Sequence, residues 1–133
     1  MFGSPLMLGC DVRNLTPEIK ELITNRELIR INQDEEARPP MFARDTRGLF
    51  DNTIAFKHLS GGEYAIAFFN PYDEPKGNNF PYFAIGLDPR CGYGFELYDV
   101  MSGENLGRFR DYVEVDEVPA GGCRVLRGRL VKL

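Results

Sequence analysis

FGSPLMLGCDVRNLTPEIKELITNRELIRINQD, residues 2–34, opens with an apolar run, Pro5 to Gly9, bounded by glycines and closed by Cys10-Asp11. A helix signal follows at once. The Thr16 hydroxyl can accept from a free amide of the first turn, Pro17 suits the first helical position, and Glu18 and Glu21 favour the positive helix end. Ile19, Leu22 and Ile23 share one face at helical spacing, and Leu28, Ile29 and Ile31 resume it in a shifted register after Thr24-Asn25. The spacing predicts two short helices, over 17–24 and 26–31. A strand, a short loop and a helix make a βα unit, which cannot bury both its faces alone. Its parallel neighbours have to come from elsewhere, because nothing after Asp34 repeats the pattern.

The period then changes. Glu35 to Pro40 is a polar, proline-ended connector where a domain boundary belongs. Thr53 to Leu59 alternates, with Ile54, Phe56 and His58 on one side and Thr53, Ala55, Lys57 and Leu59 on the other. Ser60-Gly61-Gly62 supplies a turn. Tyr64 to Phe69 (YAIAFF) returns as a strand apolar on both faces, which suits an interior position. Asn70 to Asn78 is a long polar connection. Further strands are expected at Phe80–Gly86, Phe95–Val100, Tyr112–Val115 and Arg124–Lys132, separated by Asp88-Pro89, Ser102-Gly103 and Ala120-Gly121-Gly122. Short strands with regular turns indicate an antiparallel sandwich or barrel.

The motifs GSPLMLGCDVRNLTPE, the helix, and Ile31-Asn32-Gln33-Asp34 together resemble the last βα unit of the barrel in glycoside hydrolase family 27, the α-galactosidases. In that family the last strand runs into a Cys-Asp or Asn-Asp pair, then a capped helix and an Ile-Asn-Gln-Asp exit, with an antiparallel sandwich after it. Glu35-Glu36-Ala37 stands where the family often has Pro-Leu-Gly, Asp99-Val100-Met101 where it has Asp-Leu-Trp, and Ala120-Gly121-Gly122 where it has Pro-His-Gly. The resemblance implies a mainly β chain: residues 1–36 as the incomplete end of a β/α barrel, a remnant strand with short α-helices, and residues 41–133 as a C-terminal antiparallel β-sandwich of Greek-key type. For the complete enzyme it implies retaining hydrolysis of terminal α-galactosides without metal or cofactor.

Composition narrows the alternatives. The 133 residues suit a chain of one main core, and 43% hydrophobic content supplies it. Sixteen basic against twenty acidic residues, a formal charge of −4, argue against nucleic acid or an anionic membrane as partner. The apolar leader lacks a basic n-region and a cleavage site, and no run reaches the length of a membrane span. Cys10, Cys91 and Cys123 are too widely spaced for a disulfide framework or a metal site and read as reduced thiols of a cytoplasmic protein.

Retaining glycosidases set two carboxylates across the scissile bond. The family carries them in a Lys-x-Asp motif and a later acid/base, with a Trp-Asn-Asp-Pro-Asp run before the last strand. None of these motifs occurs here, so the catalytic set is expected to be empty and the chain alone inactive. Asp11 is the remaining substrate-binding candidate, since it ends a strand on the C-terminal side of a barrel; the structural alternative is a carboxylate that binds loop amides or pairs with Arg13. Asp34-Glu35-Glu36 is expected to be a solvated linker run. His58, the single histidine, lacks a catalytic pattern around it. Gly92-Tyr93-Gly94 is a turn, without the helix a phosphate loop needs. Phe68, Phe69, Tyr72, Phe80, Tyr82 and Phe83 could line a sugar-binding face, though alternation sends most of them to the core. Arg124, Arg127 and Arg129 read as the solvated side of an edge or outer strand. The expected partner is the missing barrel portion, or a second copy through residues 2–9. The alternative is a stand-alone β-sandwich for carbohydrate binding, structure or oligomerisation.

Overall fold

The computed structural model describes residues 1, 3–44 and 49–133. Helix α1 spans Pro17–Thr24 and α2 spans Arg26–Asn32. Thr16 Oγ1 accepts from Ile19 N at 3.3 Å. The break between the helices lies on Asn25, whose backbone N–H donates to Leu22 O while its Oδ1 accepts from Leu28 N at 3.0 Å. One residue closes the first helix and caps the second, which is why the apolar stripe shifts register there.

Eight strands follow: β1 (Met41–Arg44), β2 (Phe50–Leu59), β3 (Glu63–Phe69), β4 (Lys76–Pro81), β5 (Tyr93–Asp99), β6 (Asn105–Phe109), β7 (Tyr112–Val118) and β8 (Cys123–Lys132). They form a six-stranded sheet in the order β1-β2-β3-β8-β5-β6 and a two-stranded sheet, β4-β7. Each of these pairings is antiparallel. The β2–β3 hairpin turns on Ser60–Gly62, where Gly61 and Gly62 take φ of 72° and 74°, a region open to glycine at little cost.

The main core lies between the two sheets. Ile54, Phe56, Ile66, Phe68, Phe95, Leu97 and Leu126 of the large sheet meet Phe80, Val113, Val115 and Val118 of the small one. Phe56 and Phe80 touch across the gap with ring centroids 5.6 Å apart. A second cluster (Ile31, Leu59, Ala65 and Val100, with Leu28 and Val125 against it) packs α2 on the opposite face of the large sheet. This explains YAIAFF: β3 is covered on both faces, with Ile66 and Phe68 toward the small sheet and the compact Ala65 toward the helix.

Three expectations are corrected. Residues 3–9 are not a β-strand and join neither sheet; the parallel neighbours that such a strand needs are not supplied by the antiparallel sandwich. The strand expected at 80–86 lies earlier, over 76–81. Pro81 has no N–H to continue the ladder, and Tyr82–Ile85 forms a 3-10 turn instead. That turn buries Tyr82, whose hydroxyl donates to Phe109 O at 2.6 Å and accepts from Phe95 N at 3.3 Å. Finally, β8 is central rather than outer, between β3 and β5.

Candidate functional site

Asp11 sits at the end of residues 3–10, before a 3-10 turn over Val12–Asn14. Its Oδ1 accepts from the Arg13 amide at 3.0 Å and from Arg13 Nε at 2.9 Å, and its Oδ2 accepts from Arg13 Nη2 at 2.9 Å. Asn14 Nδ2 adds a contact at 3.4 Å. The bonded groups are thus a cation and amides, not a second carboxylate. The Arg13 side-chain and backbone bonds hold the Asp11 carboxyl below its ordinary range. An ionised, guanidinium-paired carboxylate can hold a loop or accept from a ligand hydroxyl, but it is poorly set to donate a proton.

An apolar groove of about 630 Å³ runs between Pro5–Leu8 and the helices, walled by Leu22, Ile23, Leu28 and Ile29. Leu6, Met7, Leu8, Val12, Ile19 and Leu22 are all exposed, Met7 to 89%. Isolated exposed apolar residues are ordinary; six on one short segment mark a face built to be covered.

The helical segment is tied to the sandwich by polar anchors. Asp34, whose place in a charged linker predicts solvation, is buried instead. Its Oδ2 accepts from Ser60 N at 2.9 Å and Ser60 Oγ at 2.8 Å, and its Oδ1 accepts from Glu36 N at 3.3 Å. Burial pushes its pKa up, but the two Ser60 bonds, the Glu36 amide and Lys57 outweigh that, and the net shift is downward. The fully buried Lys57 donates from Nζ to Ile31 O at 2.7 Å, at the negative end of α2 where a cation is favoured. Asp99 accepts from Met101 N, Ser102 N and Arg124 Nε at 2.9, 3.1 and 2.9 Å. Burial raises its pKa, and these partners carry it below the ordinary value. Arg129 is exposed, as expected, but Arg127 is not on a solvated side: Arg127 Nη1 donates to Glu63 Oε1 at 2.7 Å, and its Nε lies 2.9 Å from Glu27 Oε2 outside hydrogen-bond angles. Arg30 completes the group by pairing with Glu63.

These carboxyls fix the sign of the acid response. A carboxyl with a lowered folded pKa adds stability above its unfolded value, about 3.9, and loses it as pH falls through the folded value. Melting temperature by circular dichroism should fall a little below about pH 6.5, where the unfolded chain takes up a proton at His58 more readily than the folded one, and then steeply below about pH 4.5. Asp34→Asn should flatten that acid limb; an unchanged limb would show that Asp34 contributes nothing to it.

The remaining candidates fall apart in space. His58 is half-buried, 4.5 Å from the Tyr64 ring. Burial and then Arg38 lower its pKa, against an upward pull from Glu36. Gly92 ends a 3-10 turn and Tyr93-Gly94 begins β5. Of the six aromatics, Phe68, Phe80 and Tyr82 are buried, while Phe69, Tyr72 and Phe83 reach the surface. Cys10, Cys91 and Cys123 are free and exposed. Among the described residues there is no group of three or more His, Cys, Asp or Glu able to hold a metal, and no helix is long and apolar enough to cross a membrane.

Residues 51–127, more than half of the chain, match the family model described as the alpha-galactosidase C-terminal beta-sandwich domain. The chain belongs to that family. A probable alpha-galactosidase of Dictyostelium discoideum is 28% identical over 127 residues, 95% of this chain and 32% of the relative. Alpha-galactosidase A of Cellvibrio japonicus is 30% identical over 94% of this chain and 32% of its own length. Among solved structures, alpha-galactosidase I from Mortierella vinacea superposes with a TM-score of 0.80 at 26% identity, over 95% of this chain and 32% of that one. An alpha-galactosidase from Saccharomyces cerevisiae shares the fold, with a TM-score of 0.79 at 17% identity over 97% of this chain and 41% of that one. The chain thus spans about a third of the length of the curated relatives it matches along most of its own length, and the similarity includes the helical segment.

Proposed function

We propose that this chain works as the sandwich-bearing part of a retaining α-galactoside hydrolase, with the catalytic carboxylate pair on a β/α barrel that residues 3–32 complete. The observation that carries the reading is the uncovered apolar face of that segment. An extended run with Leu6, Met7 and Leu8 exposed, beside a capped amphipathic helix, is what the last βα unit of a barrel looks like without its neighbours. In this role Asp11 would stand at the barrel rim, held by Arg13, within reach of a ligand hydroxyl rather than in the proton-transfer pair. The exposed free thiols support a reducing, cytoplasmic setting. In the isolated chain the same face would be covered by a second copy; Phe2, at the start of the stretch expected to do this, lies outside the described residues.

Purified chain should give no turnover of an aryl α-galactoside and should sediment as an associated species that becomes monomeric when residues 3–9 are removed. Turnover proportional to chain concentration would overturn the assignment of catalysis to a separate barrel. A sample already monomeric before the deletion would overturn the role given to the apolar face.

A further inference from the structure

We propose that a polar cleft at the end of the sandwich opposite the Ser60 turn binds one pyranose ring of a saccharide. The cleft encloses about 200 Å³, the volume of some six or seven waters at liquid density. A monosaccharide fits that scale and an extended oligomer does not. Asp51 and Thr53 of β2, Phe69 of β3, Tyr72 and Lys76 of the following loop and strand, and Asn78 of β4 supply its groups. Its β2 residues lie about 23–30 Å along the strand from the Ser60 turn that Asp34 holds, at the usual rise per residue.

The site is built, not incidental. Asn70 is buried and spends its amide on the loop: Nδ2 donates to Glu74 O at 2.8 Å and Val118 O at 2.9 Å, while Oδ1 accepts from Tyr72 N at 3.1 Å. Gly121 N donates to Tyr72 O at 3.1 Å. Tyr72 is therefore fixed through its backbone on both sides while the residue stays 52% exposed. A surface loop pinned by a buried amide has already lost the freedom that binding would otherwise cost. Both ladders bordering the cleft are irregular: Phe42 pairs with Ala55 but Ala43 with Asp51, and Lys76 pairs with Val118 but Asn78 with Val115. Between them a Cβ on Gly77 would stand 2.7 Å from Asp116 O, so the backbones close tightly there. Such irregularities re-aim side chains beside functional sites.

The chemistry selects a neutral polyol with an apolar face. Asp51 binds the amide and hydroxyl of Thr53, and Asn78 Nδ2 donates to Thr53 Oγ1 at 2.9 Å. This chain of acceptors and donors fixes a carboxylate and an amide side by side, the groups that bond vicinal hydroxyls. Lys76 Nζ sits 4.6 Å from the Tyr72 ring centroid, a cation held over an aromatic face with N–H groups left for a hydroxyl oxygen. Carboxylate and ammonium together give an anion or a cation no net attraction. Phe69 and the face of Tyr72 that Lys76 does not cover are the aromatic surfaces available to the C–H side of a sugar. The choice of galactosides as first ligands rests on the family reading; the cleft itself does not.

The test is an amide-detected NMR titration of the full ¹⁵N-labelled chain with galactose, glucose and mannose, with glycerol as the acyclic control. A supporting result is saturable shifts at Tyr72, Lys76 and Asn78 with at least one hexose, weakened tenfold or more in Tyr72→Ala and in Asp51→Asn, with other amides in place. Shifts from glucose or mannose alone would support the cleft while removing its link to galactosides. An absence of shifts with every hexose, equal shifts with glycerol, or shifts unaltered in Tyr72→Ala would overturn the proposal. Because the readout is binding by this chain, it is independent of whether the chain takes part in hydrolysis.

Discussion

Phe95→Ala is expected to cost about 3–5 kcal/mol, the usual range for deleting a buried aromatic ring. Phe95 is fully buried on β5, the neighbour of β8 within the large sheet. Tyr64 and Tyr82 both meet its ring edge-on, with centroids 5.1 Å away and planes 78° and 85° apart. One substitution removes both aromatic contacts and opens a cavity where three elements converge: β3, β5 and the 82–85 turn. Domains of this size hold only about 5–15 kcal/mol in reserve, so the melting temperature should drop by on the order of 10–20 °C. Tyr82→Phe is the informative companion. It keeps the ring contact but leaves Phe109 O and Phe95 N without the hydroxyl that burial has pushed to a pKa of about 12. Its expected cost is about 1–3 kcal/mol, that of an unsatisfied buried group. Thermal unfolding of both variants measures the ring and the hydroxyl separately. Equal losses would mean that ring packing holds this corner of the core no more strongly than the hydroxyl does.

What the residue pattern makes legible follows from what repeats along the chain. Thr16-Pro17, the shift at Asn25 and the Gly61-Gly62 turn are local signals, each with one physical solution, and all three are present. The two-sided apolarity of YAIAFF announces an interior strand, and β3 is one. Strands β1 and β6 are not legible: both are short, lie at the edges of the large sheet and carry little alternation. The 82–85 turn is hidden because Phe80-Pro81-Tyr82 reads as strand until Pro81 ends the ladder. Buried Asp34 and Lys57 are equally hidden. A charged residue in a linker and one on an alternating strand look solvated until a tertiary partner, Ser60 or Ile31, is brought to them. The same limit applies to the cleft: Asn70, which organises its loop, is an ordinary loop residue by composition. Of the side chains around it, only the aromatics Phe69 and Tyr72 stand out in the sequence as sugar contacts.

Lys57→Ala should separate the helical segment from the sandwich more than it damages either. The Lys57 side chain crosses from β2 into the layer where α2 packs, and its ammonium donates to Ile31 O near the Asp34 carboxylate that lowers its own pKa partly through it. Removing it leaves a cavity, an unbonded carbonyl and a carboxylate without a nearby positive charge that helps to lower its pKa. Truncating a long buried side chain typically costs about 2–5 kcal/mol, and the unmet carbonyl adds about 1–3 kcal/mol. Lys57→Met keeps most of the volume and also removes the desolvation of a buried ammonium, so it should cost less. The difference between the two variants measures the cavity against the charge. The loss should be local, because the sheet-to-sheet core does not include Lys57. Amides of α2 and cleavage in the 35–40 connector should become fast to exchange or digest while β3, β5 and β8 stay protected, as expected when one cooperative unit opens before another. Uniform loss of protection across the strands would mean that helices and sandwich form a single unit. An unchanged α2 would mean that Ile31 and Leu28 alone hold the helix on the sheet. If the segment does open first, the surface proposed to complete a barrel is held in place from the sandwich side in part by one buried lysine. A lesion at Lys57 would then disturb that interface from a distance, with no contact to the exposed face of Leu6, Met7 and Leu8.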